Sequence, residues 1–205
     1  MIRIEIRLET APEVRAELLG RLGELAEKRL KDPPLAIDAF RRRLEDIPDD
    51  PQALQALDRL YEATERWSEL VDVLEQRREG TSPGSERQVL MRRQAHVLAG
   101  KLGDAAGATE VWRGYRAEFG DSAEALTALE GLYRDARRWD DLADTYEAHL
   151  DTATGAADKL RMLTALGDLR GDELGLPQAA LDAYRDALDI DYTAMAAQME
   201  AAVAV

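Results

Sequence analysis

The feature that most restricts the fold of this chain is an internal repeat of 72 residues. Residues 51–77 align without a gap to residues 123–149, and 11 of the 27 aligned positions are identical. At twice that offset, nine residues between positions 22 and 44 recur between positions 166 and 188. The middle copy, at residues 91–119, keeps the apolar pattern with fewer identities. Such a sequence is typical of an array of stacked units in which each unit contacts its neighbours.

Each 72-residue unit consists of two half-units, and each half-unit has the apolar spacing of two helices. Leu54, Leu57 and Tyr61 fall on one helical face because they are three and four residues apart. Asp50 and Pro51 are a helix start, since the carboxylate accepts hydrogen bonds from free backbone N–H groups and proline fits the first helical position. No strand pattern competes, and residues 80–85 are predicted to be a loop between repeats. Helices are predicted at residues 13–31, 34–47, 51–64, 67–79, 86–101, 104–118, 122–136, 139–152, 157–172, 177–190 and 193–203.

The composition excludes several classes of function. Asp and Glu number 41 against 27 Lys and Arg, a formal net charge of −14, so neither a nucleic acid nor an anionic membrane surface is expected as a partner. The sequence has no cysteine and two histidines, which argues against thiolate or His-rich metal sites. It has no secretory signal and no apolar run of membrane-spanning length. We therefore predict a soluble, cytoplasmic protein without membrane insertion, cofactor or metal.

The half-units resemble tetratricopeptide repeats, whose pattern is W-x2-L-G-x2-Y in the first helix and A-x3-F in the second. The first-helix motif reads Leu19-x2-Leu22-Gly23, Met91-x2-Gln94-Ala95 and Leu163-x2-Leu166-Gly167 in three half-units. Their second helices carry Ala36-x3-Phe40, Ala108-x3-Trp112 and Ala180-x3-Tyr184. The alternate half-units depart from the pattern, because Asp58 and Glu130 replace the glycine and Leu70 and Leu142 replace the alanine.

The resemblance covers nearly the whole chain and implies an all-α fold, a right-handed superhelical α-solenoid of antiparallel helix pairs. A single domain over residues 1–205 is expected. About five repeats are predicted at residues 12–48, 51–79, 85–120, 121–152 and 156–191, with a partial repeat at 1–10 and a partial or capping helix at 192–205. The incomplete ends and the Arg-rich composition predict a fragment of a longer bacterial repeat array. The alternative is that the terminal helices are the caps of the array.

The resemblance also implies a binding surface, because first helices in this family line a concave groove in which peptides bind. The candidate partner-binding residues are polar positions of the first helices: Glu24, Gln55, Arg59, Glu62, Arg92, His96, Thr127, Arg134, Arg161, Thr164 and Asp168. The same reasoning places Glu17, Gly20, Glu27, Gln52, Val89 and Glu124 on the groove. For each residue alone, an ordinary solvated helix face is the alternative. Acidic residues early in the groove and arginines further along predict a partner segment of complementary charge.

No recognisable catalytic constellation is present in the sequence. It lacks a Walker phosphate loop, a G-x-S-x-G motif and an H-E-x-x-H motif. His96 and His149 lie on different repeats and are expected to be structural or solvated, with His149 near a helix end where the dipole favours a cation. Trp67 and Trp139 begin second helices at equivalent positions, which indicates packing rather than ligand stacking. Trp112 is expected in the core.

The sequence therefore predicts a non-catalytic protein–protein interaction scaffold that binds a partner protein or peptide in the groove. A second hypothesis is a structural spacer or self-assembly module of a larger protein, with end-to-end association. A third, an enzyme or small-molecule sensor, would need a deep polar pocket lined by groups such as His96 and Arg92. Little in the sequence favours that third hypothesis.

Overall fold

The computed structural model describes residues 2–203, with side chains from residue 4 to residue 193. Within that range every regular element is a helix, which confirms the all-α prediction. The α-helices of this range are α1 (Ile2–Leu8), α2 (Pro12–Leu25), α3 (Pro33–Asp46), α4 (Pro51–Ala63), α5 (Trp67–Glu79), α6 (Ser85–Val97), α7 (Ala105–Phe119), α8 (Ala123–Asp135), α9 (Trp139–Thr152), α10 (Ala156–Asp168) and α11 (Pro177–Val203).

The helices divide into two compact units, Met1–Val111 and Trp112–Val205. In the first unit each helix from α1 to α6 packs against the next helix along the chain, and α8 to α11 do the same in the second. Because short turns join these neighbours, they are antiparallel pairs, and each unit is a stack of helical hairpins. The helical-repeat arrangement is thereby confirmed. The single domain and the repeat boundaries given above remain predictions.

Side-chain caps begin several helices at the places where the sequence predicts them. The Asp50 carboxylate accepts a hydrogen bond of 2.7 Å from the backbone N–H of Ala53, and Pro51 is the first residue of α4. Asp32 and Ser122 accept the equivalent bonds at the starts of α3 and α8. Each cap satisfies one of the backbone donors that a helix N-terminus leaves unpaired, which is worth about 1 kcal/mol.

The backbone itself repeats at the 72-residue offset. The helices α2, α6 and α10 continue into five-residue π-helical turns, at Ala26–Leu30, Leu98–Leu102 and Leu169–Glu173. A residue with positive φ follows each of these turns: Lys31 at 53°, Gly103 at 66° and Gly175 at 63°. The turns after α4 and α8 contain Glu65 at 56° and Arg137 at 53°. The turns therefore recur along the chain together with the helices that they join.

One of the predicted helix boundaries is wrong, and three predicted helices are not α-helical to their ends. The sequence predicts separate helices at 177–190 and 193–203, whereas α11 runs from Pro177 to Val203 without a break. Residues 190–193 contain no glycine or proline, and the Thr193 hydroxyl bonds to the Asp189 carbonyl within the helix, so nothing local ends it. The first helices predicted at 13–31, 86–101 and 157–172 are not α-helical throughout, because each ends in a π-helical turn.

Glycine permits close helix packing in the half-units that match the repeat motif. A Cβ on Gly23 would lie 2.6 Å from the ring of Phe40, and a Cβ on Gly167 would lie 2.5 Å from the ring of Tyr184. The aromatic ring of the second helix therefore rests directly on the backbone of the first. Any larger residue at either glycine displaces the aromatic ring or the helix that carries it.

Candidate functional site

All eleven candidate partner-binding residues lie on first helices, as the sequence predicts. Glu24, Gln55, Arg59, Glu62, Arg92 and His96 are in the first unit. Thr127, Arg134, Arg161, Thr164 and Asp168 are in the second. Ten of these side chains are exposed and Arg92 is half-buried, so the positions are available to a partner. Whether a partner binds them stays a prediction.

One residue assigned to the groove is misplaced. Gly20 is buried, and a Cβ at this position would collide with the guanidinium of Arg43 from the second helix α3. Arg43 itself donates a 2.6 Å hydrogen bond to Asp50, the N-cap of α4. Gly20 therefore makes room for an arginine that ties α3 to the next first helix, and it does not face a partner.

Ion pairs join successive first helices in the first unit. The guanidinium of Arg59 in α4 lies 3.3 Å from the carboxylate of Glu27, which follows α2. The guanidinium of Arg93 in α6 lies 2.8 Å from the carboxylate of Glu62 in α4. Two of the predicted partner-binding side chains, Arg59 and Glu62, are thus also contacts between repeats. Because these pairs are largely exposed, each adds at most about 1 kcal/mol of stability.

Asp58 is a buried carboxylate of α4 that binds two of the arginines near these ion pairs. It occupies the glycine position of the motif and is 3% exposed. Arg77 of α5 donates a hydrogen bond to its Oδ2, and Nη1 of Arg93 lies 2.7 Å from its Oδ1. One buried carboxylate therefore holds arginines from two other helices. The departure of Asp58 from the motif is visible in the sequence, but its partner Arg93 is not, although a buried carboxylate requires a cation.

Glu130, at the corresponding position of the second unit, accepts hydrogen bonds from an arginine and a tyrosine. Arg134 donates hydrogen bonds of 2.8 Å to Glu130 and 2.6 Å to the Tyr146 hydroxyl, which itself donates to Glu130 at 3.1 Å. Burial, with the nearby Glu130 charge, raises the pKa of Tyr146. On the next first helix, Asp168 accepts a 2.6 Å hydrogen bond from the Tyr184 hydroxyl, which raises the pKa of that tyrosine. Arg134 and Asp168 are consequently held in fixed orientations.

A cavity of about 300 Å³ opens beside these two residues in the second unit. Its walls include the half-buried ring of Trp139, the first residue of α9. Its rim carries three carboxylates, Asp168, Asp172 and Glu173, against one cation, Arg134. It is therefore an acidic recess with an aromatic face. The sequence predicts Arg134 and Asp168 at a binding surface and Trp139 as a packing residue, and it gives no sign of a role for Asp172 or Glu173.

Two larger cavities recur at the repeat offset, one in each unit. Their volumes are about 440 Å³ in the first unit and about 490 Å³ in the second. Four polar residues at equivalent repeat positions line each of them: Arg41, Tyr61, Glu69 and Asp72 in the first, and Arg113, Tyr133, Asp141 and Asp144 in the second. Glu45 also lines the first cavity, and Arg116 and Asp121 also line the second. Because both composition and position repeat, these cavities follow from how the helices stack and not from a single ligand.

The two histidines have different surroundings. His96 is exposed on α6. His149 is 7% exposed in α9, and its burial lowers the pKa of the imidazole, an effect that Arg161 reinforces and Glu130 opposes. Burial therefore disfavours the protonated imidazole at this end of α9. Of the two expectations for His149, structural or solvated, its burial supports the first.

The three tryptophans differ in their contacts. Trp112 is 1% exposed and packs edge-on against Tyr115, which confirms its place in the core. Trp67 and Trp139 begin α5 and α9 as predicted, and both are half-buried. In the first unit the ammonium of Lys101 lies 4.9 Å from the centre of the Trp67 ring.

Between residues 4 and 193, no three His, Asp or Glu side chains are arranged to hold a metal ion. Of the helices described, none combines the length and the apolar character required to cross a membrane. The absence of a cofactor, the lack of catalysis and a cytoplasmic location remain predictions.

Comparisons with known proteins identify the repeat. Residues 53–82 and 125–160 match the sequence model of the tetratricopeptide repeat, and the two matches begin 72 residues apart. Similar solved structures include YrrB, described as a TPR protein with an unusual peptide-binding site, at 16% identity and a TM-score of 0.48, covering 97% of this chain and 96% of that one.

Two further structures are similar at the same level. MamA from Desulfovibrio magneticus RS-1 is 14% identical with a TM-score of 0.44, covering 87% of this chain and 96% of that one. BtubC from P. vanneervenii is 18% identical with a TM-score of 0.45, covering 89% and 82%. At such low scores these likenesses carry no argument about what the chain binds. No curated protein matches the sequence.

Proposed function

We propose that this chain, which belongs to the tetratricopeptide repeat family, is a non-catalytic scaffold that binds a partner protein through the exposed faces of its first helices. The observation that carries the proposal is the exposure of the polar first-helix positions on a backbone fixed by contacts between repeats. A surface with rigid support loses little conformational entropy when it binds, which favours recognition.

The fixed charges also support a role in selecting the partner. Arg59, Glu62 and Arg134 are held by carboxylates or guanidinium groups of the same chain. A partner must therefore match a pattern of charges that is already oriented. Such patterns chiefly govern the rate of association and the choice of partner.

The experiment is an affinity capture from the source lysate with two matched variants. The first carries Gln55→Arg and Thr164→Arg, which place bulky cations on exposed first-helix positions of both units. The control carries Ser68→Arg and Gln178→Arg on exposed positions of second helices, with the same change in charge. Circular dichroism establishes that both variants are folded. We expect the first variant to lose a partner that the wild type and the control retain.

Equal retention of the partner by both variants would contradict the proposal, because binding would then lie away from the first helices. Loss by the control alone would move the binding surface to the second helices. Each result therefore assigns or removes the first-helix surface as the site of recognition.

A second function, self-association, is supported by exposed apolar side chains on two helices. Ile4 and Leu8 of α1 are 64% and 76% exposed, and Leu188 and Tyr192 of α11 are 67% and 77% exposed. Large apolar groups clustered on a surface helix favour contact with another protein surface. Light scattering over a concentration series tests this function. A mass that rises with concentration and returns to that of the monomer in Leu188→Glu supports it, and a strict monomer contradicts it.

A further inference from the structure

The acidic recess beside Trp139 has a counterpart in the first unit that is already filled. Trp67 and Trp139 occupy the same position of the 72-residue repeat, and each begins a second helix. Beside Trp67, the ammonium of Lys101 lies 4.9 Å from the ring centre, a cation–π distance. The residue 72 positions after Lys101 is Glu173. The second unit therefore has a carboxylate where the first unit supplies its own cation.

Two other positions of the recess also become more acidic in the second unit. Asp168 and Asp172 of the second unit correspond to His96 and Gly100 of the first. Three carboxylates thus line the same recess as Trp139, at positions where the first unit has a histidine, a glycine and a lysine. An aromatic face bordered by carboxylates attracts a cation through both the ring quadrupole and direct charge.

Within the described part of the second unit, up to residue 193, no cation stacks on the Trp139 ring. Arg134, on the rim of the recess, is held by Glu130 and the Tyr146 hydroxyl. Among the residues that the structure describes, no ammonium or guanidinium group stacks on Trp139, whereas Tyr61, Tyr133 and Trp67 each have one. The recess, about 300 Å³ in volume, is large enough for one long side chain.

We propose that the recess beside Trp139 binds a lysine side chain of a partner protein, in the place that Lys101 occupies beside Trp67. This inference rests on the proposed scaffold function and specifies the chemistry of one contact in it. The ligand ammonium lies over the Trp139 ring, and Asp168, Asp172 and Glu173 compensate its charge. The same repeat position is closed by the chain's own lysine in the first unit and open to a partner in the second.

The test uses a capped pentapeptide, acetyl-Gly-Ser-Lys-Ser-Gly-amide, and the same peptide with norleucine in place of lysine. The whole chain is labelled with ¹⁵N and the three indole N–H signals are followed by NMR, with Trp139→Phe and Trp67→Phe assigning two of them. We expect the lysine peptide to shift the Trp139 signal saturably and to leave the Trp67 and Trp112 signals in place. The norleucine peptide is expected to produce no such shift.

Glu173→Lys is the decisive variant, because it supplies in the second unit the cation that Lys101 supplies in the first. Position 173 is exposed, so the variant is expected to fold. Its affinity for the lysine peptide should fall at least tenfold. Equal shifts with the norleucine peptide, or unchanged affinity in Glu173→Lys, would overturn the inference. An arginine peptide that binds more tightly than the lysine peptide would overturn the choice of ligand.

The capture experiment separates this inference from the function on which it rests. A partner that Glu173→Lys retains and the Gln55→Arg, Thr164→Arg variant loses would refute the lysine recess while supporting the scaffold. If the lysine peptide binds at Trp139 but no captured partner depends on the first helices, the lysine recess is supported and the scaffold function is refuted.

Discussion

At the level of single residues, a carboxylate replaces the motif glycine in two half-units and has different partners in each. Asp58 is buried between two arginines, whereas Glu130 shares an arginine with a tyrosine hydroxyl. Where glycine is kept, at Gly23 and Gly167, an aromatic ring fills the space. In these four half-units the helix-crossing position therefore holds either a glycine covered by an aromatic ring or a carboxylate paired with an arginine. The pairing offsets the cost of burying the carboxylate charge.

Asp58→Asn is predicted to destabilise the fold by about 3 kcal/mol, because it removes the buried charge that pairs with Arg77 and Arg93. This value is at the lower end for breaking a buried ion pair, since both guanidinium groups are partly exposed to solvent. Glu62→Gln is the matched control, since Glu62 pairs with the same Arg93 on the exposed surface, and its cost should stay below about 1 kcal/mol. Urea unfolding followed by circular dichroism measures both changes. An equal loss in the free energy of unfolding for the two variants would show that the burial of Asp58 does not strengthen its ion pairs.

The free energy of unfolding is predicted to decrease as the pH is lowered below about 6.5, because of His149. Burial lowers the pKa of this imidazole in the folded chain, so the unfolded chain binds the proton first. The stabilisation is complete above the unfolded pKa and is lost as pH falls toward the lower folded pKa. His149→Leu should weaken the pH dependence below about pH 6.5, and His96→Gln, at an exposed position, should keep it. A slope that survives in His149→Leu would contradict this assignment.

At the level of elements, the turns repeat as faithfully as the helices. The positive φ angles at Lys31, Gly103 and Gly175 fall at the same repeat position, although only two of the three residues are glycine. A left-handed conformation costs a residue with a Cβ about 1–2 kcal/mol, so Lys31 is the strained member of the set. The turn geometry is therefore imposed by the packing of the helices on either side.

Gly103→Ala is predicted to destabilise the fold by about 1 kcal/mol. Nothing lies within 4 Å of a Cβ at this position, so the cost is entirely that of the positive φ angle. Gly100→Ala is the control, since its Cβ would also meet nothing within 4 Å but its φ is not positive. That variant should be neutral or stabilising by up to about 1 kcal/mol. Thermal unfolding of both variants measures the difference, and a stabilised Gly103→Ala would refute the argument.

The sequence predicts helices well where apolar spacing and caps agree, as at Asp50 and Pro51. It does not predict the π-helical turns, because they differ from α-helix only in the register of backbone hydrogen bonds, which the side chains at Leu98–Leu102 do not encode locally. It also missed the role of Arg93, whose partner Asp58 is 35 residues away and becomes a neighbour only when helices stack. The role proposed for Glu173 could not be predicted either, because Glu173 and Trp139 are distant in the sequence and line one recess only in the folded chain.

At the level of the whole molecule, both units are built from the same repeated elements, yet their surfaces differ. The recurring cavities and turns follow from the repeat, whereas the substitution of Glu173 for the lysine at position 101 is specific to the second unit. A repeat protein keeps its stability in contacts between neighbours and is free to vary its exposed positions. Function is thus expected where the 72-residue pattern is broken on an exposed surface.

The central claim, that the first helices bind a partner protein, is tested most directly by site-specific photo-crosslinking. A benzophenone amino acid is placed at Gln55 or Thr164 on first helices and, as controls, at Ser68 or Gln178 on second helices, all exposed positions. Illumination in the source lysate should give a discrete adduct with another protein from the first pair and none from the controls. Adducts formed only from Ser68 or Gln178 would contradict the claim.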